Sequence, residues 1–442
     1  MKSKVVFLML MLAGLFLASC SDDDTVSVTF SQTEFEAIPA EGTILTANIE
    51  ATGRWTASSQ DPDWCYVYPS EGNGNGTIRI EVMGNLDEER TGTIVISSGG
   101  EQTEIHVTQS ALSEGEELHY RLPVIFHVLY KDRTDPQQYI TPERIREVLE
   151  NVNQFYQGEV RYSGGDAGQN INLEFYLAEA DEEGNVLENA GIEYVQWDEM
   201  PIECTGFMAS ENENVINLMW DQNRYINIVL YNFAAESGSG SVTLGISHLP
   251  YSTQGSNYLE GLSEIEYTYI EKEQLQYPHC VSINSLYFDR NTTSEYYDAA
   301  DVYVTLAHEL GHYLGLHHAF NETEEGELAT DCIDSDYCDD TPPYDRNIYS
   351  LMYAALSEQA ALEHRSVSFD EVVTRINCLT GQEFISYNMM DYEVSCSDRF
   401  TSEQRDRIRH VLRYSPLIPG PKDVVKTRSL AAKLDLPIVY RK

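Results

Sequence analysis

Basic residues are scarce in this 442-residue chain: 28 Lys and Arg stand against 72 Asp and Glu, a formal charge of −44. So acidic a surface repels phosphate backbones and anionic lipid, and no basic stripe interrupts it, which excludes nucleic-acid binding. Long apolar runs are nearly absent as well. Only the stretch from Val5 to Leu17 is continuous, and it is too short for a transmembrane helix. Eight cysteines are too few for a scaffold built on disulfides. Core-forming material is not lacking: 42% of residues are hydrophobic and 23% charged, a globular composition whose length suits two or three domains.

Lys2 and Lys4 precede the apolar run, the order of a secretory signal peptide. The run ends in Leu17-Ala18-Ser19-Cys20, which resembles the lipobox of bacterial lipoproteins and implies cleavage before Cys20 and acylation of its thiol. The following Ser21-Asp22-Asp23-Asp24 resembles the acidic export tag of Bacteroidetes surface lipoproteins. The expectation is a signal peptide over 1–19 and an acidic tether over 20–27. The mature protein is then a soluble outer-membrane lipoprotein, exposed at the cell surface and held to the membrane by lipid.

Residues 28–110 read as all-β. Alternating runs such as Thr77 to Val82 and Thr93 to Ile96 are separated by Gly- and Asn-rich turn clusters. The pattern predicts a small antiparallel, Ig-like sandwich. Trp55, Trp64, Pro69, Gly72, Asn85, Arg90, Gly92 and Gln109 resemble the markers of a BACON domain, which implies glycan as a partner. Trp55 and Trp64 are a sugar platform on that reading and core residues on the plainer one, which is favoured. Cys65, in Asp63-Trp64-Cys65-Tyr66-Val67, reads as part of a buried strand.

Residues 111–117 form a polar linker, and the pattern then changes. Arg121 to Tyr130 is a nearly continuous apolar strand. Thr141 caps a helix with Pro142 in its first turn, and Ile145, Val148, Leu149, Val152, Phe155 and Tyr156 share one face. Ile171 to Leu177, Tyr225 to Tyr231 and Thr243 to Pro250 read as further strands. Thr401-Ser402-Glu403-Gln404 is a capping box opening a last helix. Strands interleaved with helices predict a twisted sheet with helices packed on it, an α/β (α+β) domain over 118–415. Residues 416–442 read as a flexible, locally basic tail.

The chemistry is concentrated in His308-Glu309-Leu310-Gly311-His312-Tyr313-Leu314-Gly315-Leu316-His317-His318. On a helix, His308 and His312 lie on one face and meet one ion, while Glu309 is offset toward a water on that ion. Gly315 adopts a left-handed conformation that turns the chain back, so that His318 supplies a third nitrogen. Three neutral imidazoles with one open position form a catalytic rather than a structural zinc site. His317, at the wrong spacing, is structural.

The extended motif, followed by Asn388-Met389-Met390-Asp391-Tyr392, resembles the metzincin metalloproteases. The Met-turn wording, Asp340-Thr341-Pro342, Phe400-Thr401 with Gln404, and Pro123 to Val128 narrow the resemblance to the pappalysin family. It implies a zinc endopeptidase acting on protein or peptide substrates, with His308, His312 and His318 as ligands and Glu309 as general base. Met390 is the hydrophobic floor of the Met-turn. Tyr392 is the phenol that stabilises the oxyanion, or else a packing residue. The segment from Thr243 to Pro250 is similar to the family's cleft rim, where an extended substrate pairs by β-augmentation; His248 there reads as a surface residue.

The resemblance also implies two disulfides: Cys332 with Cys378, and Cys396 with Cys338, although Cys338 precedes Asp340-Thr341-Pro342 instead of following it. Asp331, Asp334, Asp336, Asp339 and Asp340 crowd one loop, either a solvated acidic stretch or the calcium site of pappalysin-like enzymes. The acidic residue that selects Arg or Lys in relatives has no clear match after Tyr392; Glu393 is the available substitute. The competing function is an adhesion or glycan-binding lipoprotein with an inactive protease-like scaffold. The intact Glu309 argues against it.

Overall fold

The computed structural model describes residues 28–235, 242–323, 328–329 and 331–441. Cys20, the signal peptide and the acidic tether lie outside the described residues.

The N-terminal domain is a two-sheet sandwich. One sheet contains Val28–Phe30, Thr43–Ala51, Gly76–Val82 and Cys65–Tyr68, and the other Glu34–Ile38, Glu101–Gln109, Arg90–Ser98, Arg54–Ser59 and Glu71–Asn73. Period-two burial along Arg90–Ser98 and Glu101–Gln109 puts Ile94, Ile96, Ile105 and Val107 between the sheets. The pairing is antiparallel except that Glu34–Ile38 runs parallel to Glu101–Gln109. Trp55 is core and donates its indole N–H to the Gly74 carbonyl at 3.0 Å. The Arg90 guanidinium lies 4.1 Å from the centre of the Trp64 ring. Neither tryptophan forms an open platform. Cys65 is wholly buried in the sandwich core.

In the C-terminal domain the main elements are β1 (Tyr120–Tyr130), α1 (Pro142–Tyr156), β2 (Leu173–Leu177), β3 (Ile192–Gln196), β4 (Ile226–Tyr231), β5 (Gly245–His248), β6 (Val281–Asn284), α2 (Val302–Tyr313), α3 (Arg346–Leu362), α4 (Ser402–Tyr414) and β7 (Tyr440–Arg441). The sheet order is β2-β1-β4-β6-β5-β7, with β3 also on β1. β1, β2, β3, β4 and β6 run parallel, while β5 is antiparallel to both β6 and β7. α1 forms as its sequence dictates: Thr141 accepts from the Arg144 N–H, Pro142 opens the first turn, and all six predicted apolar residues are buried. Each contributes about 1.5–3 kcal/mol of burial. The Thr401 capping box is reciprocal, with Gln404 reaching back to the Thr401 N–H at 3.0 Å.

The two domains touch directly. Tyr68 bonds Glu179 at 3.2 Å, Arg224 stacks 4.0 Å over Tyr66, and Lys426 pairs with Asp63 at 2.9 Å. The expectation of a flexible tail over 416–442 is corrected. Tyr251 donates to the Pro437 carbonyl at 3.0 Å and the Gln276 amide to Leu434 at 2.8 Å. Leu434 is buried with Tyr251, Leu275 and Tyr277. Polar side chains of the body grip the tail's backbone, a kind of contact that leaves no mark in the tail's own composition. No helix among the described residues is long and apolar enough to cross a membrane.

Candidate active site

α2 is placed by its N-cap, where Asp301 accepts from the Tyr303 N–H at 2.9 Å and pairs with Arg161 at 2.7 Å. Every residue of the helix except Val304 and Thr305 is buried. The helix ends where expected, with Gly315 at φ +91°; a Cβ there would also fall 2.7 Å from Val411. The returning chain brings His318 to the other two histidines.

The three Nε2 atoms converge: His312 lies 3.0 Å from His308 and 3.1 Å from His318. Each Nδ1 faces an acceptor. His308 donates to the Met389 carbonyl at 2.9 Å, His312 to the Leu316 carbonyl at 2.8 Å, and His318 to the Glu322 carboxylate at 3.0 and 3.1 Å. Carbonyl and carboxylate oxygens only accept, so all three protons sit on Nδ1 and three lone pairs point inward. Without a cation that arrangement is repulsive. Around tetrahedral zinc, Zn–N bonds of about 2.0–2.1 Å set the nitrogens about 3.3 Å apart, so the donor set fits the ion. Among the described residues it is the one cluster of His, Cys, Asp or Glu that could hold a metal. Burial, reinforced by the neighbouring imidazoles, pushes His308 down to about 3 and His312 well below the usual range, keeping both neutral.

Glu309 is buried beside them. Its Oε2 has no hydrogen-bond partner, and burial raises its carboxyl well above the usual carboxylate range. β5 passes close by: a Cβ on Gly245 would sit 2.5 Å from Glu309 Cγ. Met390 lies beneath the helix, where a Cβ on Gly311 would meet its sulfur at 2.6 Å, so glycine is what lets floor and helix approach. Tyr392 is 44% exposed, and its ring stands edge-on to His318 at 5.6 Å with the Arg346 guanidinium 4.4 Å over it.

Sequence reasoning missed the supports. Glu322 holds His318, and the Met389 backbone orients His308. Asp391 accepts from Tyr344, Ser386, the Tyr392 and Glu393 N–H groups, and buried Arg375 at 3.2 Å. Glu393, the candidate for selecting basic residues, already accepts from Arg346 at 3.0 and 2.6 Å. Its charge is therefore matched within the chain.

Of the two expected disulfides, Cys332–Cys378 is present. The Cys338–Cys396 pairing is corrected: both are buried thiols. Cys338 lies among Asp336, Arg407, Asp340 and Glu403, and Cys396 among Asp398, Arg399, Asp370 and Arg375, so the two occupy separate pockets. His317 is buried against Tyr337, as a structural residue should be. His248 is not at the surface. It is buried, with Nε2 donating to the Met208 carbonyl at 3.0 Å and Nδ1 accepting from the Cys280 N–H at 3.1 Å.

The five loop aspartates do not converge as a shell. Asp336 accepts from the Cys338 N–H at 3.0 Å and from Thr341, and Asp340 caps the Glu403 N–H at 3.0 Å. The Asp339 N–H donates to Glu403, and the Asp331 carbonyl accepts from Asn321 at 2.9 Å. Asp334 and Asp336 share a hydrogen bond, and burial raises Asp336 well above the carboxylate range.

Two histidines on a buried helix and a third on the returning chain, floored by a Met-turn and flanked by an antiparallel strand, form the arrangement of a metzincin-type metalloprotease. Residues 209–413 match the family model Peptidase_M43, described as pregnancy-associated plasma protein-A, and residues 54–110 match BACON, described as a putative N-terminal binding domain. Residues 54–110 thus carry a BACON-type domain and residues 209–413 a Peptidase_M43-type metalloprotease domain. Similar solved structures include mature mirolysin of Tannerella forsythia in complex with a cleaved peptide, at 22% identity and a TM-score of 0.44 over 66% of this chain and 92% of that one. A promirolysin mutant from the same organism matches at 21%, with a TM-score of 0.43 over 66% and 80%. A Bacteroides ovatus GH5 xyloglucanase matches at 16%, with a TM-score of 0.19 over 49% and 58%. No curated protein matches the chain.

Proposed function

We propose that the protein is a zinc-dependent endopeptidase, tethered by lipid at Cys20 to the outer membrane and exposed at the cell surface. The convergence of three Nε2 lone pairs beside a buried, unpartnered Glu309 oxygen carries the reading. His308, His312 and His318 would hold a zinc ion, which would supply Lewis-acid polarisation of the scissile carbonyl and a lowered pKa for a water. Glu309 accepts the proton from the attacking water and delivers it to the leaving amine. Tyr392, exposed beside His318, donates its phenol to the developing oxyanion. An extended substrate lies along β5.

The test is a peptide-library digest with residues 21–442, comparing wild type, chelator-treated wild type and Glu309→Ala. Cleavage by untreated wild type alone is expected; none, with zinc bound, would favour the inactive-scaffold reading. Lipidation is supported by the residues around Cys20 and is checked by a lipid mass shift that Cys20→Ala abolishes. A calcium site at Asp331, Asp334, Asp336, Asp339 and Asp340 is supported only by their crowding in one loop of the sequence; an unchanged melting temperature on calcium removal would eliminate it. Both tryptophans being engaged leaves glycan binding without structural support.

A further inference from the structure

β5 follows β6 in the sheet, and its outer side is where an open edge would template pairing with another chain. That edge is taken. β7 runs antiparallel along it, with Ser247 opposite Arg441 and His248 opposite Tyr440, and the Leu249 N–H donates to the Val439 carbonyl at 2.9 Å. The same strand begins at Gly245, in contact range of the Glu309 side chain on α2, so the occupant lies along the strand that packs against the catalytic carboxylate. Arg441 is only 6% exposed, and its Nε is 3.4 Å from the Glu322 oxygen that also holds His318. The approach to this position is fixed by Leu434 in its apolar cluster and by Tyr251 on the Pro437 carbonyl.

We propose that Val439–Arg441 is an intramolecular occupant of the peptide-binding edge, which a substrate must displace to reach the zinc. The proposal rests on the reading of β5 as the substrate strand. Two backbones cannot hydrogen-bond to one edge at once, so apparent substrate affinity is reduced by the fraction of molecules whose edge is open. Leu434, Leu436 and Ile438 stay anchored in their cluster, so the strap swings on a short arm and returns when product leaves.

The test compares the full chain with one ending after Ile438, which keeps the anchoring cluster, and with full-length Arg441→Ala, which removes only the grip on Glu322. Melting temperatures and zinc content establish that each is folded and loaded. Hydrogen exchange at the Leu249 amide should accelerate at least tenfold in the shortened chain, because its acceptor is gone. In a Glu309→Ala background, fluorescein-labelled casein should bind several-fold tighter to the shortened chain, with Arg441→Ala between. With Glu309 intact, KM should fall by the same factor at unchanged kcat. Equal exchange at Leu249 in both chains, or casein binding that is equal or absent in both, overturns the proposal. Tighter casein binding without cleavage by any form upholds the strap and sinks the peptidase reading instead.

Discussion

Replacing Glu322 by alanine tests whether the metal site is set up by its supports as well as by its ligands. The His318 Nδ1–H faces both oxygens of this carboxylate at 3.1 and 3.0 Å, and both residues are buried. Water does not stand in for the acceptor at such a position, so the ring loses the bond that fixes its tautomer and aim. Losing an outer partner of a ligating histidine lowers metal affinity about 10–100-fold, equivalent to about 1.4–2.7 kcal/mol. The carboxylate is anionic as well as an acceptor, which places the expected loss in the upper half of that range. Glu322→Gln keeps a carbonyl acceptor and should lose less. Arg441 also uses Glu322, so the comparison belongs in the chain ending after Ile438, where that ion pair is absent. Zinc affinity is read by competition with a chromogenic chelator, and the melting temperature of the metal-free proteins separates a lost ligand support from a damaged fold. A Glu322→Ala affinity within threefold of the parent, with equal metal-free stability, would refute the reasoning.

Four further outcomes are expected. Glu309→Ala should lower kcat by about 10²–10⁴ while retaining one zinc per chain by metal analysis. Asp391→Ala strands the Arg375 charge, which is fully buried and paired at 3.2 Å; a loss of about 3–5 kcal/mol should appear in the urea midpoint. Cys332→Ser opens a link across 46 residues, and loop-closure entropy sets the cost at about 4 kcal/mol; an unchanged midpoint under non-reducing conditions would contradict it. Burial holds His248 at about 4, below the ordinary 6.5, so between these values the unfolded chain binds more protons. Stability is then complete above pH 6.5 and falls by up to about 3 kcal/mol as the pH drops to 4; His248→Gln should flatten the urea midpoint against pH over that window.

What the sequence made legible was whatever side-chain spacing encodes. The buried face of α1 follows from 3.6-residue periodicity, the start of α4 from Thr401 and Gln404, and the triad from fixed intervals with a glycine where the backbone must turn left-handed. Contacts made by the backbone were not legible. His308 is oriented by a carbonyl of Met389, a residue passed over in favour of Met390, whose sulfur is the floor. Basic residues and prolines mark the tail as loose, yet Gln276 and Tyr251 bind its carbonyls, which every sequence possesses. Glu322 lies in a run of acids, where a single useful carboxylate looks like its solvated neighbours. His248 reads from sequence as a surface residue, since nothing in the strand's own residues shows that the Met208 carbonyl and the Cys280 N–H will close over it.

The three ligands therefore share a chemistry but not a mode of support, and this bears on how the site is assembled. His312 is oriented by Leu316, four residues on, so its geometry comes with the helix end alone. His308 depends on Met389, which reaches it only when the Met-turn has docked, and that docking is organised by Asp391 through Arg375, Tyr344 and Ser386. His318 depends on Glu322 in the loop that follows it. Zinc affinity should accordingly respond to mutations in three separate regions, in different ways. Perturbing Asp391 should reduce metal affinity together with global stability, because the turn and the core fail as one. Perturbing Glu322 should reduce affinity alone. If Asp391→Asn lowers zinc affinity with no change in the metal-free urea midpoint, the Met-turn acts on the ligands without being part of the core, and the assembly order inferred from these contacts is wrong.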